Sequence, residues 1–323
     1  MVKLNWGMIG CGTIGSEMAD ALRENGSLLY GVTCRTKDKR EAFAKKYHIP
    51  HVFADYEEML ADEQVDIVYI ATPHNTHYEH IKTALQAGKH VLCEKAVCIN
   101  SEQLDELIDI AAEKKLILKE AMTISHMPLY DKLREIIMSG AIGTVKMVQV
   151  NFGSNKEYDV NNRFFSKELA GGALLDIGGY AVTFARLFLD MQPDVVLTTV
   201  KYFETGVDEQ SGIILKNEKE QMAVIALTMR AKQPKRGVVT GDKGYIEVYD
   251  YPRADKAVIV DTISGQKTTI HEGDSRKALF YEAKAMEEAV TGMNPNHTLG
   301  VSKEVMDILT DVRMQWGMRY PFE

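Results

Sequence analysis

The sequence predicts an α/β domain built on a doubly wound parallel sheet, joined to an α+β domain with a largely antiparallel open sheet. Three observations carry this. Short apolar runs alternate with amphipathic helical stretches through the first 120 residues, the pattern of a parallel sheet covered on both faces. After about residue 122 that rhythm stops, and strand-like runs follow one another across short turns, which implies antiparallel pairing. A glycine-rich stretch, GCGTIG, stands at the first strand-to-helix junction.

The elements follow in order. Apolar runs at 3–9, 28–33, 65–71, 90–93 and 116–119 read as strands, with His51–Phe53 as a further short one. Between them, 14–24, 38–47, 76–87 and 101–114 carry helical spacing. Right-handed crossovers then wind the sheet on both sides. The second region opens with a helix at 129–138, stopped by Ser139-Gly140, and a strand at 145–152. Residues 171–189 start glycine-rich and become helical. Strands are expected at 195–203, 211–215, 222–229, 238–240, 245–249 and 257–261, separated by the turn sequences ETGVDEQSG, KNEKEQ and TGDKG. Helices at 278–291 and 301–316 close the chain. The expected domains are 1–122 and 123–323.

Composition sets the class. The chain has 323 residues, 45% hydrophobic and 26% charged, the profile of a soluble globular protein. No apolar run approaches the ~20 residues a membrane helix needs, and MVKLNWGMIG lacks a signal-peptide layout. A net charge of −8 argues against a nucleic-acid partner, while a local phosphate site stays open. Cys11, Cys34, Cys93 and Cys98 lack paired metal spacing and read as reduced thiols of a cytoplasmic protein.

GCGTIG fits G-x-G-x-x-G in the required context, after a strand and at the start of a helix. Gly10 permits the tight turn, Gly12 lets the backbone approach a pyrophosphate, and Gly15 allows close helix–strand packing. With Cys11, Thr13 and Ile14 they form the expected phosphate cradle of a Rossmann domain, where helix N–H groups and dipole attract the anion. A ligand-free glycine turn is the bland alternative. An NAD site usually carries an acid at the end of the second strand. Here LLYGVT runs into Cys34-Arg35-Thr36-Lys37. Arg35 suits a 2′-phosphate, because its planar fork binds oxygens bidentately, and Lys39 or Arg40 adds charge. The cofactor expected is NADP, with NAD as the alternative. These cations read otherwise as a solvated helix start.

VLCEKAVC, residues 91–98, places Glu94 and Lys95 at the carboxyl end of a buried strand. ATPHNTH, residues 71–77, ends the strand before it. Open α/β sheets bind ligands at such ends, so Lys95 is placed to meet a substrate.

Taken together, GCGTIG, ATPHNTHYEHIKTALQAGKHVLCEKA and GGALLDIGGY at 171–180 resemble the Gfo/Idh/MocA oxidoreductases over essentially the whole chain. Tyr180 ending DIGGY, ETGVDEQ at 204–210 and the closing YPFE are similar to the dimeric dihydrodiol dehydrogenase branch, which includes NADP-dependent xylose dehydrogenases. The resemblance implies an NAD(P)-dependent dehydrogenase or reductase acting on CH–OH groups of a sugar, polyol or dihydrodiol-like substrate held between the domains. It implies catalytic roles for Lys95, Asp176 and Tyr180, with Tyr180 exchanging the proton. It places Glu94 near the nicotinamide ribose and makes Thr72, Pro73, Asn75 and His77 cofactor-lining. It also implies a homodimer or higher oligomer through the exposed sheet face. Three departures stand out: Ala96 replaces the proline of E-K-P, GGA replaces GGGA, and Thr123 stands where the branch carries tryptophan. Loss of that aromatic shifts the expectation toward sugars and polyols.

The chemistry agrees. Tyrosine's ordinary pKa of ~10 is high for a base near neutrality. A neighbouring ammonium favours tyrosinate and can stabilise charge developing on the substrate oxygen. Singly, each residue has a structural explanation: Lys95 a solvated strand end, Asp176 a helix cap, Tyr180 a core residue. The rival function is a non-catalytic NADP(H)-binding sensor, and a weaker third is cofactor-assisted glycoside cleavage. No metal is expected. His74, His77 and His80 at three-residue spacing would spread over about 120° of a helix. The 16 methionines read as core.

Overall fold

In the computed structural model, residues 3–293 and 298–323 are described. The chain divides into two compact units, one of Met1–Met122 with Leu279–Leu299 and one of Thr123–Ala278 with Gly300–Glu323. The division at 122/123 is where the sequence rhythm changes. The segment 279–299, assigned from sequence to the second domain, groups with the first.

The first unit runs β1 (Asn5–Ile9), α1 (Thr13–Asn25), β2 (Leu28–Thr33), α2 (Lys37–Tyr47), β3 (His51–Val52), α3 (Tyr56–Ala61), β4 (Ile67–Ile70), α4 (His77–Gln86), β5 (His90–Glu94), α5 (Ser101–Glu113) and β6 (Leu118–Ala121). Its six strands lie in the order β3-β2-β1-β4-β5-β6, all parallel. Trp6, Met8, Ile67, Val68, Tyr69 and Ile70 are fully buried, as expected of central strands covered on both faces. The order reverses between β1 and β4, so the carboxyl ends of β1, β4 and β5 border the crevice such sheets use for ligands. Helix α3 was not expected. Its six residues are too short for a periodic signal, and the helix is started by Asp55, whose carboxylate accepts from Glu58 N at 2.8 Å.

The second unit contains α6 (Pro128–Met138), β7 (Val145–Gly153), α7 (Gly179–Phe188), β8 (Val195–Tyr202), β9 (Asp208–Lys216), β10 (Met222–Thr228), β11 (Gln233–Gly241), β12 (Gly244–Tyr249), β13 (Lys256–Asp261) and β14 (Lys267–His271). Eight strands lie in the order β14-β13-β12-β11-β7-β10-β9-β8, antiparallel except for the parallel β7–β10 pair. Helix α8 (Ala278–Val290) follows, and α9 (Thr298–Gln315) ends the helical structure. Glu287 of α8 accepts from Trp6 Nε1 at 2.8 Å, Ser27 Oγ at 2.6 Å and Asn25 Nδ2 at 3.0 Å. Those bonds fasten the helix to β1 and the α1–β2 turn of the first unit.

Alternation along β7 buries Val148, Val150 and Phe152. Helix α7 lies so close to this face that a side chain at Gly237 would meet the Phe184 ring at 2.3 Å. Leu197, Ile214 and Val224 are exposed. Three strand readings change. β9 begins at Asp208 rather than 211, because the polar DEQ already pairs. β11 begins at Gln233, with a register irregularity around Pro234 before Arg236, since proline lacks the ladder donor. β14, KTTIH, is an additional edge strand whose polar composition hid it. Among the described residues, no helix is long and apolar enough to cross a membrane.

Candidate active site

In the first unit the three glycines of GCGTIG divide by function. Gly10 has φ +116°, and a Cβ there would lie 2.5 Å from Ala71 O. A Cβ at Gly15 would lie 2.6 Å from Gly10 O. The fold itself needs both glycines. Around Gly12 a Cβ would meet nothing within 4 Å, and no side chain caps the start of α1. The first-turn N–H groups of a helix have no intrahelical partner, and the open backbone at Gly12 is what a phosphate contact there requires. Cys11 beneath is buried, and its thiol is pushed up to about 12 by burial and then by Cys34, against the opposing charges of Lys39 and Arg40.

Arg35 and Lys39 are exposed. Arg40 differs: its Nη1 donates to Cys34 O at 3.1 Å and Ala54 O at 2.7 Å. It braces the loop that carries Arg35.

The ends of β4 and β5 are stitched together by histidines. His74 Nε2 lies 3.1 Å from Lys95 O, and His77 lies 2.8 Å from Ala96 O through Nδ1 and 2.8 Å from Thr72 O through Nε2. Carbonyls only accept, so a neutral His77 ring donates to one of its two and a protonated ring to both. The Lys95–Ala96 peptide is cis. Thr76 Oγ1 donates to Pro73 O at 2.9 Å and lies 2.8 Å from Thr72 Oγ1, which tightens the same turn. Among the described residues, Asn75 Oδ1 is buried without a hydrogen-bond partner, an acceptor at the position expected to line the cofactor. Glu94 accepts from Tyr69 Oη at 2.5 Å. Burial, then the charges of Glu94 and Glu282, holds that phenol well above its usual range. Among the described residues, no three His, Cys, Asp or Glu side chains are placed to hold a metal ion.

In the second unit Asp176 lies on a wide turn, Leu174–Gly178, that leads into α7, and Tyr180 is in the first turn of that helix. Asp176 is buried and does not cap the helix. Its Oδ2 lies 3.4 Å from Lys156 Nζ. Tyr180 is half-buried, its ring centroid 6.4 Å from that of Phe152. Thr123 is buried and donates to Pro252 O at 2.7 Å, so it is committed to packing.

The glycine run before Asp176 is anchored by the two other sequence features that pointed to the dihydrodiol branch. Asp208, from ETGVDEQ, accepts from Leu174 N at 2.7 Å. Gly172 has φ +115°, and a Cβ there would lie 2.1 Å from Asp208 Oδ1. Tyr320, from the closing YPFE, donates to Gly171 O at 2.8 Å. Arg313 holds Glu323 through both guanidinium ends at 2.8 and 2.7 Å, and Glu323 accepts from Tyr320 N at 2.7 Å. Burial pushes the Asp208 carboxyl up to about 6, against backbone donors and the Arg313 charge. Sequence reasoning missed Lys156, Asp208, Arg313 and Tyr320 as parts of this site. ETGVDEQ and the closing YPFE, quoted for the family resemblance, carried Asp208 and Tyr320 without a role.

Comparison with known proteins agrees with this architecture. The family model described as "Oxidoreductase family, NAD-binding Rossmann fold" matches residues 4–122, and the GFO/IDH/MocA C-terminal domain matches 130–247. The chain is similar to the trans-1,2-dihydrobenzene-1,2-diol dehydrogenase of Xenopus laevis, at 31% identity over 98% of this chain and 99% of that protein. To the Homo sapiens enzyme of the same name it is 28% identical over 99% of both chains. Among solved structures, a levoglucosan dehydrogenase in complex with NADH and levoglucosan matches with a TM-score of 0.89 at 18% identity, covering 99% of this chain and 100% of that one. KijD10, a 3-ketoreductase from Actinomadura kijaniata bound to NADP and TDP-benzene, matches with a TM-score of 0.86 at 22% identity, covering 97% and 98%.

Proposed function

From the GFO/IDH/MocA oxidoreductase family, to which this chain belongs, we propose an NADP-dependent enzyme that interconverts a hydroxyl and a carbonyl on a sugar, polyol or related diol. NAD is the alternative cofactor. The observation that carries the reading is the loop at Gly12, open where its two neighbouring glycines are packed. The names of the relatives, diol and sugar dehydrogenases and a ketoreductase, support the substrate class.

The bound nicotinamide supplies the hydride chemistry. The backbone of Gly10 to Gly15 receives the pyrophosphate. Arg35, with Lys39 beside it, takes the 2′-phosphate, and Arg40 shapes their loop. Thr72, Pro73, Asn75, His77 and Glu94 line the cofactor. Lys95 hydrogen-bonds the substrate oxygen, and its charge favours the tyrosinate of Tyr180, which exchanges the proton. Asp176, held against Lys156, orients that end of the substrate. The same reading includes a cytoplasmic homodimer through the sheet face bearing Leu197, Ile214 and Val224.

Fluorescence titration with NADPH and NADH, followed by a sugar and polyol screen, tests it. NADPH should bind roughly tenfold or more tightly, with Arg35→Ser removing the difference. Lys95→Met and Tyr180→Phe should lower turnover by roughly 10²-fold or more and keep cofactor binding. Equal NADH affinity overturns the NADP assignment. Tight binding with no turnover of any hydroxyl or carbonyl compound favours the sensor.

A further inference from the structure

The surroundings of Tyr180 in the second unit carry more positive charge than the proposed chemistry requires. Lys235 on β11 places its Nζ 5.0 Å from the centroid of Phe152, the ring that neighbours Tyr180. It is half-buried, and among the described residues it makes no ion pair. Burial is the main cause that lowers its pKa. Lys232, Arg253 and Lys156 lower it further, and Asp250 is the acid that opposes them. Lys156 lies 3.4 Å from the Phe164 ring centroid as well as against Asp176. Arg163 Cζ lies 4.3 Å from the same ring centroid. Arg230 donates to Lys156 O at 2.7 Å and so keeps that loop beside the cluster.

Gathering ammonium and guanidinium groups round a partly desolvated lysine costs free energy. Asp176 and Asp250 offset part of it. An anionic ligand would offset the rest, because charge-assisted hydrogen bonds strengthen where water is excluded. Lys235 is not needed for the hydride or proton steps assigned above, and its ammonium lies against the Phe152 ring, which neighbours Tyr180.

We infer that the substrate is anionic: a sugar or polyol that carries a carboxylate or phosphate, with Lys235 as the specificity-determining residue and Lys232 and Arg253 supporting it. This rests on the reading of Asp176 and Tyr180 as substrate-facing groups. It would leave a neutral polyol of the same size weakly held.

Calorimetric titration of the NADP-loaded Tyr180→Phe protein separates this inference from the reaction class, since no turnover is needed. The probes are D-gluconate, a hexose monophosphate and neutral D-sorbitol. At least one anion should bind roughly tenfold or more tightly than D-sorbitol, and the preferred anion tells carboxylate from phosphate. Lys235→Met should erase that preference while D-sorbitol binding stays within about twofold, and Lys235→Arg should retain it. Equal binding of all three probes, binding of none, or an anion preference that survives Lys235→Met would overturn the inference.

Discussion

The backbone carrying Lys95 and the backbone carrying Asp176 and Tyr180 are anchored in contrasting ways. Lys95 and Ala96 are held by His74 and His77, 21 and 19 residues away in the chain, through bonds to main-chain carbonyls. Both partners belong to adjacent parallel strands and their following turns. The Gly171–Leu174 run is held by Asp208, 34 residues beyond Leu174, and by Tyr320, 149 residues beyond Gly171. An ion pair between buried Arg313 and partly exposed Glu323 supports Tyr320 in turn. The first anchor links neighbouring strands that are close in sequence. The second needs the last residues of the chain, and it places ionisable groups where burial works against their charge.

Removing the ion pair should break this contrast most severely. Arg313→Met removes the buried member of the pair and leaves the partly exposed Glu323 carboxylate without it, which should cost about 2–3 kcal/mol. Chemical denaturation should report that loss for the second unit. A change under about 1 kcal/mol would mean the C-terminal anchor carries little.

Acidity gives the next largest effect. The Asp208 carboxyl is raised from 3.8 to about 6 in the folded protein, so the folded state binds its proton more tightly than the unfolded chain. Its contribution is therefore full below about 4 and is lost as pH rises through about 6. That amounts to about 3 kcal/mol at most. Asp208→Asn keeps an acceptor for Leu174 N and cannot titrate. Its stability should therefore rise relative to wild type between pH 4 and 7, and parallel pH profiles would refute the assignment.

On the Lys95 side, His77→Ala removes bonds to two carbonyls and should cost about 2 kcal/mol. It should lower kcat more than it raises KM, because it loosens the backbone under Lys95. A pure stability loss with unchanged kinetics would reduce His77 to scaffolding. The smallest effect on stability is expected at Gly12. Gly12→Ala should leave folding within about 0.5 kcal/mol while NADPH affinity falls, whereas Gly15→Ala, with its Cβ 2.6 Å from Gly10 O, should impair folding itself.

The same contrast explains what could be read from the sequence. Strand–glycine–helix order, the parallel sheet and the placement of Lys95 at a strand end are local patterns, and each was legible from contiguous residues. Asp176 and Tyr180 entered through a motif. Asp208 and Tyr320 stood in quoted motifs but without a role, and Lys156 and Arg313 stood in none, because each acts on the Asp176 segment from a distant part of the chain and no periodicity links them. Arg40 was legible only as charge, since its use on Cys34 O and Ala54 O depends on how the loop turns.

The measurement that bears most directly on the account is single-turnover cofactor oxidation or reduction by Tyr180→Phe, with NADPH affinity determined on the same preparation. The account predicts unchanged affinity and a rate lowered roughly 10²- to 10⁴-fold. A rate within about twofold of wild type would contradict the assignment of the proton to Tyr180.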